Sequence, residues 1–264
     1  ATFSLGANFY KTLTKRTNNV GFYSNFDYEK GKSPNIVIIG DSYIEAAQID
    51  NTDTVGEIIA KDEMQSVYQM GVSGVHLAQY IKMIDYAERN YSPRRFVIVI
   101  AGNDFDESLC EYRIKLGAWC FDKNFKMTFT PFNGYMGLRL HARKSAFLRY
   151  LVFQTQINWR EVMWKIGLTS QGMKAVGSYA GNVERFKDQE LIDKSFKVID
   201  RFMEELNSLQ IIDKLTLVID ADREDVYNNK STNSYFRQMR DYTISSASSK
   251  GIKIIDMDPI FRDD

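Results

Sequence analysis

The chain has 264 residues, 44% hydrophobic and 26% charged, with Lys plus Arg and Asp plus Glu balanced at 34 each. That length buries a sizeable core in one large α/β domain or in two small ones, and the balanced charge argues against nucleic acid as a partner. No apolar run reaches the ~18 residues of a membrane span and no signal-peptide pattern opens the chain; it begins at Ala1 rather than Met, as a processed chain does.

Residues 1 to 33 alternate polar and aromatic side chains, with Asn18, Asn19, Gly21, Gly31 and Ser33 as punctuation. They read as an arm laid over a domain of residues 34 to 264. Asn35-Ile-Val-Ile-Ile-Gly-Asp-Ser-Tyr43 comes next. Its run of branched apolar residues is too short for a globular helix and predicts a strand buried on both faces. Gly40 ends the strand, Asp41 is a good helix cap, and Ser42 stands where the next helix begins. At the carboxyl edge of an open α/β sheet, a hydroxyl so placed faces unpaired N–H groups that favour a developing anion. The same residues also read as a strand, a turn and a capping Asp-Ser pair.

A helix is expected from Thr54 through Lys61 with Val55, Ile58 and Ile59 on one face, then a short strand near Ser66 to Gln69. The second turn, Gly71-Val-Ser-Gly74, leads into a helical pattern from Val75 to about Asn90 carrying Leu77, Tyr80, Ile81 and Ile84. Glycine there lets the backbone approach a ligand and present its N–H, or simply makes a tight turn. A third strand, Phe96-Val-Ile-Val-Ile100, runs into Ala101-Gly-Asn-Asp104. Parallel strands joined by helices bring such turns to one sheet edge, so Ser42, Gly74 and Asn103 are expected to converge.

Gly40-Asp-Ser-Tyr43, Gly71-Val-Ser-Gly74 and Ala101-Gly-Asn-Asp104, in this order and each after a strand, resemble the first three blocks of the SGNH (GDSL-like) hydrolase family. The resemblance is close over residues 34 to 108 and looser beyond. It implies a three-layer α/β/α sandwich around a mostly parallel sheet of about five strands, flavodoxin-like in type, and no cofactor. It also implies Ser42 as nucleophile and an oxyanion hole made by the N–H of Ser42, the N–H of Gly74 and the side-chain amide of Asn103. Negative charge on an ester oxygen needs such preorganised donors, and Asn103 donates without titrating; its other reading is a turn residue bonding its own backbone. Two positions depart from the family pattern: Gln69 replaces an asparagine and Ala101 a glycine. Asp104 is assigned a loop-orienting role.

From 105 to about 183 the chain leaves the strand-helix rhythm. Cys110 and Cys120 are close enough to close a short loop, a disulfide candidate that points to an oxidising compartment; two reduced, unrelated thiols are the alternative. All three tryptophans, Trp119, Trp159 and Trp164, fall in this insertion. Lys144 to Ile166 is a strongly apolar helical stretch, read as a helix on the core or as a lid or surface for a membrane or partner protein. A long helix from about Asp188 to Ser208, the strand Leu215 to Ile219, a helix near Tyr235 to Ser249 and a strand at Ile252 to Ile255 complete the sheet. Asp220, Asp222, Arg223, Glu224 and Asp225 read as a solvated loop rather than a metal site, because no ligand spacing is defined.

A serine nucleophile needs a general base. In the resembled family this is a histidine in an Asp-x-x-His block after the last core strand. Here no histidine follows Ile255, and only His76 and His141 exist. His76 reads as a helix-surface residue and His141 as peripheral, so the base is expected in a segment beyond Asp264; His76 or an acidic residue acting in an unusual arrangement is the alternative. The functional expectation is a serine esterase hydrolysing or transferring a small acyl group such as acetyl, on a carbohydrate. Periplasmic or secreted placement is expected, with a membrane anchor ahead of Ala1 left open. A non-catalytic binding or assembly module is the alternative.

Overall fold

The computed structural model describes residues 2–5, 11–112, 117–131, 145, 179–180 and 183–263. An antiparallel pair, β1 (Thr2–Leu5) and β2 (Lys11–Thr14), precedes β3 (Ile36–Gly40), α1 (Ser42–Glu45), α2 (Val55–Asp62), β4 (Val67–Gly71), α3 (Leu77–Tyr91) and β5 (Arg95–Ile100). Two further antiparallel pairs follow, β6 (Ala118–Phe121) with β7 (Met127–Thr130) and β8 (Tyr179–Ala180) with β9 (Val183–Glu184). The rhythm then resumes with α4 (Gln189–Ser208), β10 (Leu215–Ile219), α5 (Arg223–Tyr227), α6 (Tyr235–Ser249), β11 (Lys253–Asp256) and α7 (Met257–Asp263). His141, Trp159, Trp164 and, Ser145 apart, the stretch from Lys144 to Ile166 lie outside the described residues.

The apolar runs form one five-stranded, all-parallel sheet in the order β11-β10-β5-β3-β4, the α/β architecture expected. The chain leaves β3 toward β4, then crosses back to β5 on the other side of β3. The reversal between β3 and β5 is a topological switch point, where open α/β sheets bind ligands. Right-handed crossovers place α3, α4 and α6 on one face and α1 and α2 on the other. The first face holds the main core, including Val37, Ile39, Ile98, Tyr80, Phe202 and Phe236. The second holds Ile38, Ile44 and Val67, with Ile59 and Ala60 packed on them. Because α1 and α2 cover only the β3–β4 half, β5 and β10 alternate buried and half-buried residues instead of being buried throughout.

α2 presents an unexpected face. Val55 and Ile58 are 47% and 46% exposed, and Gly56 is the buried position. The reason is Gln69, whose side-chain oxygen accepts the Gly56 N–H at 2.8 Å; a Cβ on Gly56 would stand 2.7 Å from that oxygen. The Gln69 amide nitrogen donates to the Ile44 carbonyl at 2.6 Å, so one buried side chain ties both α1 and α2 to β4. Tyr28 closes the same strand from the other face: it stacks on Tyr68 with centroids 4.1 Å apart, and its hydroxyl bonds the Gln69 backbone N–H and carbonyl.

Cys110 and Cys120 are joined in a disulfide. It fastens the segment after Ser108 to β6, beside the Cys110 N–H bond to the Phe121 carbonyl at 2.9 Å. β6 is in turn held to α3, where Gln79 accepts the Trp119 N–H at 3.1 Å and the Lys82 ammonium sits 4.5 Å from the Trp119 ring centroid.

Two stability predictions follow from these contacts. Replacing both cysteines by serine should lower the unfolding free energy by about 2–4 kcal/mol, measured in urea, and intact mass should show no alkylation without reductant. At Gly71 a Cβ would meet the backbone nitrogen of Glu45 at 2.0 Å, whereas at Gly40 it would meet side-chain atoms, Ile44 Cγ1 at 2.4 Å and Cβ at 3.1 Å. Gly71→Ala should therefore cost at least the ~1–3 kcal/mol of ordinary overpacking, and more than Gly40→Ala; the reverse order would refute the packing.

Candidate active site

Strand register decides which turns meet. Gly40 pairs with Gly71, Ile39 with Ile98, and Ile100 with Ile219, so the turns after β3, β4, β5 and β10 share one sheet edge. Ser42, Gly74 and Asn103 all lie at that edge.

Asp41 caps α1 by accepting the Tyr43 N–H at 3.0 Å. Ser42 is the first residue of α1 and half-buried, and its hydroxyl makes one long bond, 3.4 Å, to Asp41 Oδ2. With a single turn, α1 supplies oriented N–H groups rather than a helix dipole. Its far end closes at Ala46, in the left-handed region at φ 49°, whose carbonyl accepts the buried Lys15 ammonium at 2.5 Å. Burial lowers the proton affinity of Lys15, and Asp50 and Glu45 restore part of it.

The second turn is fastened to the first. Val72 N–H donates to the Gly40 carbonyl at 3.2 Å, and the Glu45 carboxylate accepts the Ser73 N–H at 2.8 Å and the Ser73 hydroxyl. Gly74 follows at φ +76°, a conformation that L side chains rarely adopt.

In the third turn, Asp104 Oδ2 accepts the Ala101 N–H at 2.8 Å and the Tyr80 hydroxyl at 3.0 Å, tying α3 to the end of β5. The expected loop-orienting role of Asp104 thus has a geometry. Asn103 is 8% exposed, and its Oδ1 is buried with no hydrogen-bond partner among the described residues. Among the described residues that oxygen makes no bond to its own turn.

His76 corrects an expectation. It is 1% exposed, not on a helix surface, and its Nδ1 lies 3.3 Å from Ser108 Oγ. Ser108 gives its one hydroxyl proton to the Asp104 carbonyl at 2.6 Å, so Nδ1 must carry the hydrogen and donate to Ser108. The ring braces the second turn against the third. The acidic cluster after β10 is a second correction: Asp220, Asp222 and Asp225 are buried, not solvated. Asp222 caps α5, and Asp225 pairs with Arg185 and accepts the Thr232 N–H at 2.7 Å. No group of acidic, His or Cys residues able to hold a metal occurs among the described residues.

The edge is electrostatically tense. Burial, then the charge of Asp41, pushes the Asp104 carboxyl well above the ordinary range, against the pull of its two hydrogen bonds. Burial likewise raises Asp106, opposed by Lys187, and Asp220, opposed by Arg223. That Asp41 acts on both Asp104 and Tyr80 puts the turn after β3 beside the turn after β5. Sequence reasoning passed over Lys15, Glu45 and Tyr80 as site-builders, because only tertiary contacts reveal them.

A carboxyl that binds its proton more tightly when folded contributes full stability below its unfolded pKa of about 3.9, and that contribution fades as pH rises through the folded value. Asp104→Asn keeps an acceptor for Ala101 and Tyr80 and removes the titration. Its urea midpoint should fall less steeply from acidic to neutral pH than the parent's, though not flatly, since Asp106 and Asp220 keep the same sign. Equal slopes would clear Asp104 as the source.

In comparison with known proteins, no family model and no curated protein matches this chain. It is similar to several solved structures, each 14% identical or less with a TM-score of 0.40 or lower. AlinE4, described as an SGNH-hydrolase family esterase, is 14% identical, over 85% of this chain and 76% of its own, with a TM-score of 0.40. The psychrotrophic esterase EstA from Pseudoalteromonas sp. is 9% identical, over 87% of this chain and 93% of its own, with a TM-score of 0.37. A carbohydrate esterase family 2 enzyme with a carbohydrate binding domain, from Corynascus thermopiles (Myceliophthora fergusii), is 13% identical; the match covers 89% of this chain and 59% of that one, with a TM-score of 0.38.

Proposed function

We propose that the protein is a serine esterase of SGNH type, acting on a small acyl ester such as an acetyl group carried by a carbohydrate. The observation that carries this reading is the carboxamide of Asn103, buried with its oxygen unpartnered among the described residues, at the switch-point edge that also holds Ser42. A buried polar group without a partner is costly. The orphaned atom is Oδ1, an acceptor; donation to a ligand oxygen falls to the amide nitrogen, Nδ2, of the same carboxamide.

In this mechanism Ser42 Oγ attacks the ester carbonyl carbon. The carbonyl oxygen becomes an oxyanion, met by the N–H groups of Ser42 and Gly74 and by the Asn103 amide. A general base takes the serine proton and passes it to the departing alcohol. The acyl-serine is then released to water, or to a sugar hydroxyl in a transferase. The disulfide is in keeping with an exported protein, and no helix among the described residues is long and apolar enough to cross a membrane.

The second reading, a pocket that binds without reacting, is favoured by one fact: among the described residues the Ser42 hydroxyl bonds Asp41 Oδ2, at 3.4 Å, and no histidine. Hydrolysis of p-nitrophenyl acetate separates the two. Ser42→Ala should drop to the uncatalysed rate, and Asn103→Ala should lose about 10²–10³ in kcat with a smaller change in KM. A fluorophosphonate should label the peptide containing Ser42. Equal turnover by the parent and Ser42→Ala would remove Ser42 from the chemistry.

A further inference from the structure

A cleft of about 530 Å³ opens between α5 and α7, lined by Arg223, Val226, Tyr227, Asn229, Phe261 and Arg262. Its size suits a small-molecule site, and among the described residues its lining carries two guanidinium groups and no carboxylate. Arg223 stands at the start of α5, its guanidinium carbon 4.9 Å from the Tyr43 ring centroid and 5.8 Å from that of Phe261. Tyr43 follows Ser42 in the chain, so Arg223 links the cleft to the α1 turn that carries the proposed nucleophile.

The two arginines are bound differently. Arg262 is anchored, with Nε 2.8 Å from Asp258 Oδ1 and Nη2 3.0 Å from the Lys230 carbonyl. Arg223 reaches both Asp220 oxygens only at 3.4 Å, long for a charged bond, and its Nε is buried with no partner among the described residues. A planar cation within reach of two rings, with only long bonds to its carboxylate partner, is suited to a planar anion that accepts two hydrogen bonds.

We propose that this cleft is the subsite for a carboxylate carried by the ester substrate, with Arg223 as its principal ligand and Arg262, held by Asp258, as a fixed wall beside it. The inference rests on Ser42 being the nucleophile, and it narrows the substrate class to esters of acidic molecules. The carboxylate can belong to the alcohol half, as in an acylated uronic acid, or to the acyl half, as in a dicarboxylic half-ester.

Two matched pairs of esters separate these sources. One is p-acetoxybenzoate against its methyl ester, with the charge on the alcohol half; the other is mono-p-nitrophenyl adipate against p-nitrophenyl hexanoate, with the charge on the acyl half. One pair should show a kcat/KM preference for the charged member, reduced as salt rises toward ~1 M. Arg223→Gln should cut that preference about tenfold, and Arg223→Lys by less, with thermal melting confirming that both variants fold. Calorimetric titration of Ser42→Ala with p-hydroxybenzoate and with adipate reads binding without turnover, and adding Arg223→Gln should weaken the binding about tenfold. Arg223-dependent binding with no turnover of any ester would refute the nucleophile and keep the anion site. Turnover without preference in either pair, together with binding indifferent to Arg223, would overturn the subsite and leave Ser42 standing.

Discussion

The backbone of α1 lies so close to the end of β4 that a Cβ on Gly71 would stand 2.0 Å from the Glu45 nitrogen and 2.3 Å from the Ile44 carbonyl carbon. This contact fixes the height of the Ser42 turn above the sheet. Two paired glycines, Gly40 and Gly71, end adjacent strands in register, and the space they leave is filled by one helical turn. Gln69 then clamps that turn by the Ile44 carbonyl, and Glu45 in turn holds Ser73. The first two sequence blocks are thus a single packed object.

The third block joins through charge as well as contact. Asp104 is buried against Tyr80 and feels Asp41 across the strand gap. Buried carboxyls with elevated proton affinity are common where a fold concentrates polar groups for chemistry, and they also arise in purely structural networks. Here Asp104 belongs to the second kind by geometry, since both its known partners are protein groups that position neighbouring turns. Asn103, one residue earlier, differs from it in having no such partner.

Much of the architecture could be read from local pattern. β10 and α6 fall on the expected Leu215–Ile219 and Tyr235–Ser249, because apolar runs and helical spacing are short-range signals. What failed was long-range. Periodicity favoured Val55 and Ile58 as the inner face of α2 because it weighs apolar side chains and is blind to a glycine chosen for closeness to Gln69. Polarity alone put His76 and the Asp220–Asp225 cluster in solvent, because their partners, Ser108 and Arg185, stand 32 and 40 residues away. Within the candidate site, the residue types at positions 42, 74 and 103 were legible as a set; the clamps that seat them were not.

Isolated helices shorter than ~12–15 residues are marginal in water, and α1 has four residues. Its shape is therefore borrowed from Lys15, Gln69 and Gly71, none of which belongs to the Gly40-Asp-Ser-Tyr43 lettering. Grafting those four letters onto a foreign sheet would transfer a label without its coordinates. Kinship to this protein is better sought in a correlated trio, a cation at 15, an amide at 69 and an absent side chain at 71, than in the serine's immediate neighbours.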